Sequence, residues 1–282
     1  MVELGISSTI RRQADPAMAI IEGHINKMVA EWGETVHYAL PIGDDRVALN
    51  RCIGRPVHLE HLGGIECIYC SRRIKKSFNQ GYCFPCARSL ARCDMCIVKP
   101  ETCHYALGTC REPTWGEQHC QIPHTVYLAN SSGVKVGITR ETQQQTRWMD
   151  QGATQALPIL TADTRLEAGR AEVALKEFVS DTTDWRRMLK GVPPPADLCE
   201  FRDVLFDQSG DAVPGRRLPE AKVLEISYPV TKYPTTIRAH NLDKNPVLEG
   251  ILTGIKGQYL IVDNVVVNIR KYSGYRMKFN SK

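Results

Sequence analysis

The 282-residue chain has no apolar run approaching the roughly 20 residues a membrane-crossing helix needs, so no membrane partner is expected. Its opening residues, MVELGISSTIRRQADPAM, lack the basic-then-apolar pattern of a secretory leader, and the expectation is a cytoplasmic protein. No internal repeat stands out. Charge imbalance is small, at +5, which leaves nucleic acid open as a partner without arguing for it. Cysteine is nearly absent outside one block: only Cys52 and Cys199 lie beyond it. That scarcity argues against a disulfide framework spread through the fold, and a reducing compartment favours metal instead.

Inside the block cysteine is abundant, with nine of the eleven between Cys67 and Cys120. Cys67-x2-Cys70 and Cys83-x2-Cys86 form two knuckles. Each knuckle sets two thiolates on one tight turn, and two knuckles complete the tetrahedral sulfur set that zinc prefers. Such a closed site is structural, since no position stays open for substrate. Cys93, Cys96, Cys103, Cys110 and Cys120 are a pool from which four would bind a second metal, with His104, His119 and His124 nearby. Zinc is the expected ion there and an iron–sulfur cluster its rival. Spacing does not choose the four. His119 reads as an ordinary polar residue.

Length favours two or more domains. Residues 1–64 read as a helix over DPAMAIIEGHINKMVAEWG followed by short strands at VHYALPI, RVALN and RPVHLEHL. Residues 65–122, the cysteine block, have too few aliphatic side chains to fold without metal. Residues 123–190 read as a compact α/β unit. Strands HTVYLAN and VKVGIT flank an Asn130–Gly133 turn, a polar helix covers RETQQQTRWMDQG, and strand ALPILTA precedes helix DTRLEAGRAEVALKEFV. Ala171, Leu175 and Phe178 give that last helix a buried stripe, and Gly152 suits a helix cap. Residues 191–221 read as a linker, and 222–282 as a basic β module, either a small barrel or a compact sheet. The expected fold class is α+β and multidomain, with the cysteine block resembling a zinc ribbon.

Residues 125–178 resemble the catalytic core of the GIY-YIG nuclease superfamily. Thr125-Val126-Tyr127 stands at the GIY position, Lys135-Val136-Gly137 at the YIG position, Arg147 on the following helix and Glu172 on the last one. The chain from about residue 60 onward also resembles a poorly characterised bacterial family joining cysteine knuckles to such a core, with RWMDQGA and GIKGQYL among its features. The nuclease resemblance implies metal-assisted phosphodiester hydrolysis, with Glu172 holding magnesium, Arg147 pairing with phosphate and Tyr127 positioning the attacking water. Lys135 replaces the second tyrosine. It would act as a base only if burial or neighbouring cations lowered its pKa, and otherwise as a phosphate-holding cation. Singly, Tyr127 could be strand packing, Arg147 a cover for Trp148, and Glu172 an exposed carboxylate.

From Lys222 to Lys282, ten Lys and Arg face four Asp and Glu, and five of the ten tyrosines lie there. Arg270, Lys271, Tyr272, Tyr275, Arg276 and Lys278 interleave cations with aromatic rings, a pattern suited to stacking on DNA or RNA. The same residues also suit a sheet core with solubilising edges. The favoured function is nucleic-acid binding, with magnesium-dependent endonuclease action at the core. Non-catalytic DNA or RNA binding and a zinc-built protein-interaction scaffold are the alternatives.

Overall fold

The computed structural model describes residues 20–210 and 213–282, together with the backbone of Gln13–Ala14. Where a helix is expected near the N-terminus the chain forms strands; residues 15–19 of that expectation lie outside the described residues. The strands are β1 (Ile21–His24), β2 (Val29–Glu31), β3 (His37–Ile42), β4 (Asp45–Ala48) and β5 (Pro56–Glu66). Ile21, Ile25 and Met28 fit a helical stripe. Tertiary pairing overrides it, because Gly23 lies so close to Gly43 that a Cβ would come 2.5 Å from its nitrogen.

The cysteine block holds two short helices, α1 (Phe84–Ser89) and α2 (Pro113–His119), among single 3-10 turns. Next come β6 (His124–Asn130), β7 (Val134–Arg140), α3 (Gln144–Asp150), β8 (Gln155–Ala162) and α4 (Arg165–Leu175), in the order the sequence suggests. Thr164 caps α4 by accepting from the Glu167 amide, while Glu167 accepts from the amide of Asp163, one residue before the cap. The helix ends at Leu175, so Phe178 falls beyond it and is exposed. Gly152 does follow α3 with φ +68°, as a cap requires.

After α5 (Trp185–Lys190), the expected linker instead carries α6 (Leu198–Ser209). Asp197 caps it by accepting from the amides of Cys199 and Glu200. Leu198, Leu205 and Phe206 pack with Leu128 and Leu157 of the central sheet. Proline and glycine at its flanks disguise this helix. The chain closes with β9 (Val247–Lys256), β10 (Tyr259–Val262), β11 (Val265–Asn268) and β12 (Tyr275–Ser281).

The two ends of the chain share one core and one sheet. In order, β11, β10, β9, β5, β12 and β1 are neighbours, and Ile25 bridges to Ile42 to bring in β3 and β4. This arrangement repeats itself about a local two-fold axis between Leu59 and Phe279, which face each other across β5 and β12. β1 pairs with β12 as β9 pairs with β5, with Glu22 opposite Lys278 and Glu249 opposite His58. Gly54 donates to Leu252 and Gly274 to Ile25, both at 2.8 Å. Their φ angles, +82° and +85°, are those glycine adopts without strain. An internal repeat is therefore present after all, and the described strands of residues 20–64 share their core, and β1 and β5 their sheet, with those of 247–281. The interleaving hides it: each copy's last strand pairs with the other copy's first.

Candidate metal centre and cationic cleft

The side chains of Cys67, Cys70, Cys83 and Cys86 converge, with all four sulfurs within 4.8 Å of one another. The Cys70 and Cys83 sulfurs are 3.7 Å apart. Four sulfurs about 2.3 Å from a tetrahedral zinc would be separated by about 3.8 Å, so the set fits a metal such as zinc. Local turns impose this geometry. Ser71, Asn79, Gln80 and Gly81 all take positive φ, and the Ser71 amide donates to the Cys67 carbonyl. Burial opposes ionisation of Cys67, but amides of Cys70, Cys83 and Tyr69 hold its thiol down to about 6. Burial and the neighbouring thiols push Cys86 the other way, so the peptide dipoles favour the thiolate a metal requires at Cys67 in particular.

The other five block cysteines divide. Cys93 packs beside the knuckle cluster, whereas Cys96, Cys103, Cys110 and Cys120 line a different, small space. His119 stacks on Trp115 at 4.2 Å and donates from Nδ1 to the Trp115 carbonyl, a structural contact. His124, on β6, is fully buried, and burial lowers its pKa to about 4.

The central sheet brings Tyr127, Lys135, Arg147 and Glu172 into one neighbourhood, although not onto one surface. Tyr127 pairs with Gly137 across β6 and β7, and its ring lies directly over that glycine. Its hydroxyl donates to Gln151 Oε1 at 3.1 Å, beside the Arg147 guanidinium, and burial raises its pKa. Lys135 is 5% exposed. Burial first, then the charge of Arg147, lower it to about 8, against the pull of Glu172 and Asp181. Neither Tyr127 nor Lys135 lines the cleft that holds Arg147 and Glu172.

The cleft itself, of about 290 Å³, is lined by Lys27, Arg140, Arg147, Arg165 and Arg270 and by the carboxylates Asp150 and Glu172. Asp150 is already engaged, accepting from Lys27 Nζ at 2.6 Å and from Gln258 Nε2 at 2.8 Å. Glu172 makes no ion pair within 4.0 Å among the described residues. Burial raises its pKa while Arg147 opposes the rise. Four guanidinium groups therefore line the same cleft as one carboxylate that is without an ion pair among the described residues, with Arg147 and Arg165 acting on it most directly. A second recess, of about 630 Å³, shares Lys27, Arg147 and Arg270 and continues the groove to Tyr82 and Arg92.

The C-terminal patch is dismantled by the fold. Tyr272 and Tyr275 are buried and meet edge-on, so neither offers a stacking face. Arg276 lies 3.7 Å from Glu22, Lys278 3.8 Å from Glu60, and Lys271 3.8 Å from Asp243. Of the six residues, Arg270 alone lines the cleft. Sequence reading missed Lys27, Arg140 and Arg165. Arg165 carried a faint signal: a cation in the first turn of a helix opposes the macrodipole, and it is spent on the Ile97 carbonyl at 2.7 Å.

The chain belongs to the family described as protein of unknown function (DUF2797), whose model matches residues 54–277. No curated protein and no solved structure is significantly similar to it. No helix among the described residues is long and apolar enough to cross a membrane.

Proposed function

We propose that this member of the DUF2797 family binds nucleic acid along the cationic cleft and hydrolyses a phosphodiester bond there, with zinc at the knuckle as a folding device. One observation carries the reading: Glu172, free of ion pairs among the described residues, sits among Arg140, Arg147, Arg165 and Arg270. A guanidinium presents a fixed fork of donors that matches phosphate oxygens. A single carboxylate suits magnesium, which keeps most of its water and takes phosphate as a further ligand. Bound at Glu172, the ion would supply charge stabilisation at the scissile phosphate.

The resemblance of residues 125–178 to GIY-YIG nucleases supports the same assignment, as does the order of β6, β7, α3, β8 and α4. In this reading Arg147 grips the phosphate. Tyr127 is a positioning residue, holding Arg147 and Gln151. Lys135, with its pKa lowered to about 8, is the group nearest to a base at neutral pH.

Incubation of the purified chain with DNA and RNA in magnesium or manganese tests this. Wild type should cut, Glu172→Ala should bind without cutting, and Arg147→Ala should bind more weakly and lose cutting. Absence of cleavage by wild type on either polymer would sink the hydrolase reading. The Tyr127 hydroxyl is turned onto Gln151, and Tyr127 does not line the cleft. That detail favours a second reading, nucleic-acid binding without cleavage, in which wild type and Glu172→Ala bind, Arg147→Ala binds more weakly, and none cuts.

A further inference from the structure

Beyond the knuckle, the cysteine block gathers sulfur a second time. Cys96, Cys103, Cys110 and Cys120 all line one partly open space of about 10 Å³, with Asp94 and His104 among the other residues lining it. That is at or below the ~10–15 Å³ one water needs, so the space suits a single ion held by its own ligands rather than solvent or substrate. No three of these sulfurs lie within 4.8 Å of one another, so an ion would have to draw them in from the walls of the space. On α2 a glycine makes room, since a Cβ at Gly116 would lie 3.2 Å from the Cys110 sulfur. Arg165 ties both ends of the set to α4. Its amide donates to the Cys120 carbonyl at 2.8 Å, and its Nε to the Cys96 carbonyl at 3.5 Å.

We propose that Cys96, Cys103, Cys110 and Cys120 bind a second zinc ion that fastens the cysteine block onto α4, the helix carrying Glu172. The fifth cysteine, Cys93, does not line this space and packs with the knuckle. Asp94 and His104, not the other cysteines, form a group with Cys96 whose ligand atoms lie within 4.8 Å of one another. They are otherwise committed: Asp94 accepts from Arg111 Nε at 2.6 Å, and His104 Nδ1 lies 2.8 Å from Thr109 Oγ1. Four thiolates remain as the donor set zinc prefers. Docking at this ion is close, because α4 presents Gly169 to Pro100 and Glu101, leaving no space for a Cβ. The proposal is independent of whether the cleft cuts nucleic acid.

The test is zinc content together with zinc X-ray absorption on the intact chain. Wild type should hold two zinc ions with an average shell of four sulfurs at about 2.3 Å. Cys96→Ser, Cys103→Ser, Cys110→Ser and Cys120→Ser should each reduce the content from two to one, while Cys93→Ser and His104→Ala keep two. A single zinc in wild type overturns the assignment. So does nitrogen in the zinc shell, loss of an ion from Cys93→Ser or His104→Ala, or iron with sulfide in protein purified without oxygen. Should a serine variant fail to fold, the wild-type absorption spectrum decides alone.

Discussion

The knuckle and the cleft are built in opposite ways. The knuckle takes its four sulfurs from one short stretch, Cys67 to Cys86, and shapes them by local turns at Ser71, Asn79, Gln80 and Gly81. The cleft collects Lys27, Arg147, Glu172 and Arg270 from segments that only tertiary structure brings together. A tetrahedral ion tolerates little error in position, so its ligands travel together on tight turns. A phosphate backbone needs cations along a surface, and those can come from anywhere in the chain. The first arrangement leaves a spacing in the sequence; the second leaves scattered charges.

If that contrast is right, the two regions fail separately. Cys83→Ser or strong chelation should have the largest effect. It removes a metal contribution on the order of 10 kcal/mol and opens residues 67–90 to protease, while β6 through α4 stay protected. A loss of protection spreading at once over both regions would break the comparison. Next comes His124, buried beneath the cleft and paired across the sheet with Arg140. Its folded pKa of about 4 lies below its unfolded value near 6.5. The unfolded chain therefore takes the proton first, and stability is full above pH 6.5 and falls between 6.5 and 4 by about 3 kcal/mol. Denaturant melts at pH 7 and pH 4 should show His124→Gln losing less than wild type, and equal losses would contradict the assignment.

Smaller effects sharpen the contrast. Arg147→Ala should weaken nucleic-acid binding by about 2 kcal/mol, roughly thirtyfold, through lost charge-assisted hydrogen bonds. Arg270→Ala, on the far wall of the same cleft, should cost about 1 kcal/mol by the same loss. Neither should change zinc content. A titration in which either variant releases metal would join what is here kept apart.

Legibility followed the same division. The knuckle, the β6–β7 hairpin and the α3–β8–α4 succession were all visible, because turn residues, knuckle spacing and short-range periodicity are local signals. β1 reads as helical because Ile21, Ile25 and Met28 fall at helical spacing, and only its pairing with β12 settles the matter. The two-fold repeat escaped notice for a related reason. Its equivalences rest on backbone requirements, such as the positive φ shared by Gly43 and Asp263, rather than on matching side chains. Tyr272 and Tyr275 looked like a stacking surface beside Arg270 and Lys271, yet both rings turn into the shared core. Composition reports which groups are present in a segment; the fold decides which of them face solvent.

The salt dependence of nucleic-acid binding tests the cleft most directly. Each neutralised phosphate contributes a slope of about −0.9 in log affinity against log salt on duplex DNA, and about −0.7 on single strands. Wild type should therefore bind with a steep negative slope, and Arg147→Ala and Arg270→Ala should each make it shallower by about one such step. Binding that ignores salt, or a slope unchanged by both substitutions, would contradict the assignment of the cleft as the nucleic-acid site.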